Sequence, residues 1–144
     1  MKPISDNLRV ARDWITHARS DLRYAKRGLD DHLILGAHVC FHAQQAAEKA
    51  IKALLLAHGR EFPFTHDITI LTHLLNRHNT PVPSCILRAD SLTPYATGMR
   101  YPGDIDEGIS RDEAREAVRL AEQEVRSTRK AIELGGNECP RGEK

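Results

Sequence analysis

Polar side chains able to hold a ligand recur at helical spacing within one long and otherwise apolar stretch, residues 33–58. At about 100° per residue they share a stripe of roughly 80°, with Glu48 at its edge. We call this set the polar stripe: His38, His42, Gln45, Lys49 and Lys52. Together with the neighbouring Gln44, these groups could satisfy one another or bind a polar ligand such as a nucleotide phosphate. The alternative is a helix side that simply reaches solvent between its neighbours.

Two histidines of the polar stripe, His38 and His42, lie four residues apart, a spacing that lets two imidazoles share a metal ion. A metal needs at least a third ligand, and Glu48 lies too far along the helix to join both. No second pair of histidines with this spacing exists in the sequence. We therefore predict no metal site and no cofactor, and interpret the pair as histidines on a polar helix face.

A second candidate site is the glycine-rich segment 95–108, in which Arg100 lies between Tyr95 and Tyr101. Such an arginine can hold a phosphate through two hydrogen bonds while the tyrosine rings stack on a base. Alternatively, the tyrosines cover one end of the fold and Arg100 caps backbone carbonyls. The sequence contains no legible nucleophile–base pair and no glycine-rich nucleotide-binding motif. Cys40, on the apolar side of the central stretch, is predicted to be inert.

Helical patterns that must position these residues extend over most of the chain. Apolar residues at alternating spacings of three and four predict a first helix from Ser5 or Asp6 to about Arg27. The stretch 33–58 is apolar over most of its girth, so several other helices must surround it. Gly59 is expected to end this central helix.

Further helices are predicted over residues 67–77, over roughly 84–92, and from about 111 to 134. These elements predict an all-α fold, an antiparallel up-and-down bundle of four to five helices. The bundle is expected to occupy residues 1–134, and residues 135–144 are expected to form a disordered C-terminal tail.

Several local signals predict how the helices begin and end. Gly28 is expected to close the first helix, and Asp30 or Asp31 to cap the second. Thr65 is the candidate N-cap of the third helix, and the S-x-x-E sequence at 110–113 predicts a capping box for the last. Two aromatic residues of the connection before the third helix are expected to fold back as a lid on the core: Phe62 and Phe64.

The composition limits the class of protein. A chain of 144 residues with a net charge of +1 predicts one domain that has no global attraction to nucleic acid or membrane, although basic residues could still cluster locally. Basic residues cover much of the first helix, and we interpret them as a solvated face. They are Arg9, Arg12, Arg19, Arg23, Lys26 and Arg27. Three isolated cysteines, no signal peptide and no long apolar run predict a cytoplasmic protein without a membrane span.

Three segments together resemble the HEPN family, small helical domains found in prokaryotes and in a few large eukaryotic proteins. They are CFHAQQAAEKAIKALLLAHG at 40–59, THDI at 65–68 with Leu71, and YATGMRYPG at 95–103. The resemblance covers about residues 8–134. It implies an up-and-down bundle, usually a homodimer, with roles in nucleotide or RNA transactions beside a minimal nucleotidyltransferase partner. Taken with the two candidate sites, it predicts these ligand-binding residues: His42, Gln45, Glu48, Lys49, Lys52, Tyr95, Arg100 and Tyr101.

Ribonuclease toxins of the HEPN family carry an arginine and, four to six residues later, a histidine near the start of a late helix. The last histidine here is His78, so Arg100 has none after it. Formal matches lie elsewhere, at Arg27 to His32 and at Arg60 to His66. The chain is therefore similar to the other branch, the non-catalytic binding modules that accompany minimal nucleotidyltransferases in two-component, toxin–antitoxin-like systems. The alternatives are an endoribonuclease toxin with a composite site and a helical interaction domain without a ligand.

Overall fold

Four α-helices form most of the computed structural model, which describes residues 4–77, 91–96 and 108–134. They are α1 (Ile4–Leu29), α2 (Gly36–Ala57), α3 (Ile68–Arg77) and α4 (Arg111–Leu134). Residues 91–96 add a short 3-10 helix, and no strand occurs within the described ranges. The predicted all-α bundle is thereby confirmed. The candidate loop residues Arg100 and Tyr101, most of the predicted fourth helix and the predicted tail lie outside the described residues.

Helix α2 is the centre of the bundle, because it packs against each of the other three helices. The side chain of Arg111, at the start of α4, bonds to the backbone at the end of α1, so α2 and α4 both run antiparallel to α1. Fully buried alanines along α2 allow its neighbours to approach closely. They are Ala37, Ala43, Ala46, Ala47, Ala50 and Ala53. None of the described helices combines the length and the apolarity that crossing a membrane requires.

The connection between α1 and α2 differs from its prediction. Helix α1 continues to Leu29, and Gly28 is required instead for close packing, since a Cβ there would lie 2.8 Å from Val39 Cγ2. Helix α2 begins only at Gly36, after Leu35, and no side chain caps it. The prediction of an Asp30 or Asp31 cap is therefore wrong; Asp31 instead accepts a hydrogen bond from the nearby backbone amide of residue 33.

Arg111, the first residue of α4, holds this connection in place. Its guanidinium donates hydrogen bonds to the carbonyls of Gly28 (3.0 Å), Asp31 (2.9 Å) and Ile34 (2.5 Å). Carbonyls at the end of a helix lack intrahelical partners, so a cation placed there satisfies them and complements the helix dipole. One side chain of α4 thus fixes the end of α1 and the approach to α2.

The other predicted caps are partly confirmed. Ser110 Oγ accepts a hydrogen bond from the amide of Glu113 at 3.0 Å, but the Glu113 carboxylate accepts from the Tyr95 hydroxyl at 2.6 Å. At α3, Asp67 is the residue that caps the helix, because its carboxylate accepts from the amide of Thr69. The Thr65 hydroxyl instead accepts a hydrogen bond from the amide of Asp67, which precedes the first residue of α3.

Half of the predicted aromatic lid forms. Phe62 packs edge-on against Trp14 with ring centroids 5.9 Å apart. Phe64 is 96% exposed and touches only the edge of the His66 ring among its aromatic neighbours in the described residues. Phe62 therefore packs on Trp14 as predicted, and Phe64 is left on the outside.

Candidate functional site

His38 is exposed, and the rest of the polar stripe separates into two networks. The first is centred on Asp21 of α1. Lys49 donates a hydrogen bond to Asp21 Oδ2 at 2.5 Å, and His42 Nδ1 lies 3.3 Å from Asp21 Oδ1. An ionised carboxylate only accepts hydrogen bonds, so this arrangement places a proton on His42 Nδ1. Sequence reasoning missed Asp21. The available signal was its position seven residues after Trp14, on the flank of α1 that faces α2.

The two donors change the acidity of Asp21. Burial alone would raise its pKa, but the hydrogen bonds from His42 and Lys49 and the attraction of the Lys49 charge outweigh burial, so the pKa is lowered. A folded-state pKa below the unfolded value means that the carboxylate stabilises the protein above pH 3.8, and that this contribution is lost as the pH falls further.

Replacement of Asp21 by asparagine tests this linkage. Asp21→Asn should lower the free energy of unfolding by about 1–2 kcal/mol at pH 7, because two charge-assisted hydrogen bonds lose their acceptor charge. The difference from wild type should shrink as the pH falls below 4, and urea titrations at several pH values measure it. A difference that does not change with pH would contradict the proposed role of the carboxylate charge.

The second network joins α2 to the connection that precedes α3. Glu48, only 2% exposed, lies 2.7 Å from His66 Nδ1 and 3.5 Å from the Lys52 ammonium. Gln44 donates to the backbone carbonyl of His66 at 2.9 Å, and Gln45 donates to Gln44 at 2.7 Å. These bonds fasten the connection to the middle of the central helix.

Lys52 is enclosed rather than open to solvent. Its ammonium lies 5.7 Å from the centroid of the Trp14 ring and 5.3 Å from that of Phe62, and the residue is 6% exposed. Two aromatic faces and the Glu48 carboxylate therefore stabilise the buried charge. This position makes Lys52 and Glu48 supports of the surrounding structure, although the sequence placed both on a hydrophilic helix face.

A half-open cavity of about 350 Å³ lies beside these networks, between α1 and α2. Its lining combines an indole ring, an ammonium, an imidazole, a carboxylate and an aliphatic side chain. The lining residues are Val10, Asp13, Trp14, His17 and Lys49. Of the predicted site residues, only Lys49 contributes to this lining. The four α1 residues recur at spacings of three and four, so they were legible as one helical face.

Tyr95 lies at the other end of the bundle and is fixed by Glu113. Its neighbour Cys40 is buried, and burial, assisted by the Glu113 charge, raises the pKa of the Cys40 thiol to about 12. The thiol is therefore protonated at neutral pH and is a poor nucleophile, as predicted. Within the ranges that the structure describes, no three His, Cys, Asp or Glu side chains come close enough to share a metal ion.

Comparison with known proteins identifies the fold. The family model of the HEPN domain matches residues 11–130. The chain belongs to the HEPN domain family. Two crystal structures of similar proteins support the assignment. The chain is 36% identical to TT1696 from Thermus thermophilus. The match covers 83% of this chain and 96% of that protein, with a TM-score of 0.69.

The second structure is that of ST0689, described as an archaeal HEPN homologue. The chain is 29% identical to it, with coverage of 92% of this chain and 99% of that one and a TM-score of 0.67. No curated protein matches the chain. The resemblance recognised from the segments around residues 40–59, 65–68 and 95–103 is thus confirmed at the level of the family.

Proposed function

We propose that this HEPN-domain chain is a cytoplasmic, non-catalytic nucleotide-binding module, and that its nucleotide site is the cavity between α1 and α2. The observation that carries the proposal is the meeting of Trp14 and Lys49 in one concave space of about 350 Å³. This volume falls at the lower end of small-ligand pockets. An indole supplies a stacking face for a base, and a lysine ammonium is a point charge suited to phosphate.

Other groups of the cavity supply the remaining contacts. Asp13 can accept hydrogen bonds from the amino groups of a base, and His17 can donate to a phosphate oxygen. His42 and Gln45 lie further along the polar stripe, and we propose that they extend the binding surface. We propose Arg100 and Tyr101 as further ligand contacts, whereas Tyr95 bonds to Glu113 at the other end of the bundle. Glu48 and Lys52 do not line the cavity; Glu48 holds His66 in place and Lys52 holds Trp14.

The proposal includes two partners. We infer a homodimer, and a minimal nucleotidyltransferase as the catalytic partner in a two-component, toxin–antitoxin-like system. The sequence supports this division of labour, since it lacks the Gly-Ser plus Asp-x-Asp strand pattern of a nucleotidyltransferase and has no histidine after Arg100. It therefore resembles the branch of the family without the late-helix Arg–His motif.

Calorimetric titration of ATP, GTP and UTP into the purified protein tests the nucleotide site, and sedimentation of the same sample gives the oligomeric state. Lys49→Ala should weaken nucleotide binding at least about tenfold, because it removes a charged donor to phosphate. The matched control is Lys130→Ala, which removes the same charge from an exposed position on α4 that lines neither this cavity nor the clefts along α1. Unchanged binding in both Lys49→Ala and Arg100→Ala would remove these residues from the site, and no heat with any nucleotide would contradict the proposal.

One observation favours the endoribonuclease as a second candidate. His66 Nδ1 is held by the buried Glu48 carboxylate, which leaves Nε2 available for proton transfer, and Arg60 lies on the same connection. This function requires RNA cleavage without added metal that is lost in His66→Ala. RNA that stays intact after prolonged incubation with stoichiometric protein would exclude it.

A further inference from the structure

Tyr24 presents a pre-positioned aromatic ring on the surface of α1. It is 66% exposed, and its inner face stacks on His42 with ring centroids 5.3 Å apart and planes inclined by 19°. His42 is held by Asp21, and Asp21 is held by Lys49. Because stacking on His42 already restricts the Tyr24 ring, the ring loses little side-chain entropy when a ligand stacks on its outer face.

Three arginines follow one another along α1 to one side of this ring, at intervals of one helical turn. Arg19, Arg23 and Arg27 are exposed and follow one another at i, i+4 and i+8, about 6 Å apart along the helix axis. Like charges at this spacing repel one another and destabilise a helix. In the part of the chain that the structure describes, no acidic side chain forms an ion pair with any of the three.

Helix α4 shows that this chain can neutralise arginines when it presents them on a helix surface. Each exposed arginine there forms an ion pair with an acidic residue three or four positions away. The pairs are Arg115–Asp112, Arg119–Glu116, Arg126–Glu122 and Arg129–Glu133. The uncompensated charge of α1 is therefore a local feature, hidden in a net charge of +1 for the whole chain.

The three arginines line depressions that meet along α1. One cleft, of about 280 Å³, is lined by Ser20, Arg23, Tyr24 and Arg27. The next, of about 530 Å³, continues past Ser20 and Arg23 to Arg19. Guanidinium groups, a hydroxyl and an aromatic ring thus share one continuous surface, which we call the Tyr24–arginine face (Arg19, Ser20, Arg23, Tyr24 and Arg27).

We propose that the Tyr24–arginine face binds single-stranded nucleic acid, with the guanidinium groups on successive phosphates and Tyr24 stacked on a base. Arginine recognises phosphate with paired hydrogen bonds, and base–aromatic stacking needs a base that is free of its duplex partner. An acidic peptide would use the charges and leave the exposed ring without a role. The inference rests on the proposed function in assigning nucleotide-related ligands to this chain, but it uses a different surface.

Fluorescence anisotropy with a labelled 20-nucleotide single strand, in DNA and RNA form, tests the proposal over a series of salt concentrations. Arg23→Ala and Arg27→Ala should each weaken binding and reduce the slope of log K against log salt by about 0.7. Tyr24→Ala should weaken binding by roughly 5- to 150-fold, and Tyr24→Phe should retain it. Arg115→Ala is the matched control, since it removes one charge from a paired arginine on α4.

The variants should fold, because each arginine replacement relieves repulsion within α1 and alanine favours helix; circular dichroism checks this. Equal weakening by Arg115→Ala, equal affinity for a duplex or for inorganic polyphosphate, no effect of Tyr24→Ala, or no binding at low salt would each overturn the proposal. Strand binding without any heat from ATP, GTP or UTP would contradict only the nucleotide cavity. Nucleotide binding without strand binding would contradict only the Tyr24–arginine face.

Discussion

Glu48→Ala is expected to lower the free energy of unfolding by about 3–5 kcal/mol, the largest single-residue effect that we predict. The carboxylate is almost completely buried, and it lies within 4 Å of both the His66 imidazole and the Lys52 ammonium. Its removal leaves the ammonium against the Trp14 and Phe62 rings without the carboxylate that lies beside it. It also releases the connection that leads into α3. Urea titration followed by circular dichroism measures the change.

Two further variants separate the lost charge pair from lost packing. Adding Lys52→Met to Glu48→Ala removes the unpaired charge and should recover a substantial part of the stability. Glu116→Ala, at an exposed ion pair with Arg119, should cost less than about 1 kcal/mol. If Glu48→Ala is no more harmful than Glu116→Ala, or if Lys52→Met brings no recovery, the buried pair does not have the importance assigned to it.

Arg111→Ala is expected to lower the free energy of unfolding by about 2–3 kcal/mol, although the side chain is only partly buried. Three backbone carbonyls lose a charged donor at once, and hydrogen bonds to charged groups contribute about 1.5–3 kcal/mol each where water cannot replace them. Water reaches part of this site, so the total is smaller than the sum. The connection between α1 and α2 should open first.

Amide hydrogen exchange provides the specific measurement for Arg111. Exchange should accelerate in residues 28–39 more than in α3, because only the first region depends on the guanidinium. Arg111→Lys should destabilise the protein almost as much as Arg111→Ala does, since an ammonium cannot span three carbonyls in the way a planar guanidinium does. Arg115→Ala, one turn later on an exposed face, is the control. If residues 28–39 are equally protected from exchange in Arg111→Ala and in the wild type, Arg111 does not hold this connection in place.

The sequence predicted the helices well because the evidence for them is local. Apolar residues at spacings of three and four placed α1, α3 and α4 within a few residues of their observed bounds, and the apolar girth of residues 33–58 predicted that α2 would be surrounded. Errors occurred at the ends of helices. Gly28 was interpreted as a terminator, whereas its lack of a side chain serves contact with Val39, a residue of the next helix.

Helical spacing alone grouped the polar stripe on one side of α2 but gave no information about what faces it. Lys49 and Lys52 are neighbours on that stripe, yet one bonds to Asp21 on α1 and the other lies buried against the rings of Trp14 and Phe62. The difference arises because α1 presents Asp21 to Lys49 but Trp14 to Lys52, and the connection before α3 adds Phe62 at Lys52. The same charge is therefore partly exposed at Lys49 and enclosed at Lys52, one helical turn later.

What the sequence by itself determined is the family, the helical class and the central position of α2, since these depend on segments of contiguous residues and on their period. Only the tertiary structure decided the partner of each polar group. Asp21 lies 28 positions from Lys49, and Gly28 lies 83 positions from Arg111. Periodicity states which face of a helix is buried, but the residue opposite it depends on the packing of whole helices. That packing turns His42 into the support of Tyr24 and leaves three arginines of α1 without counter-charges on the described surface.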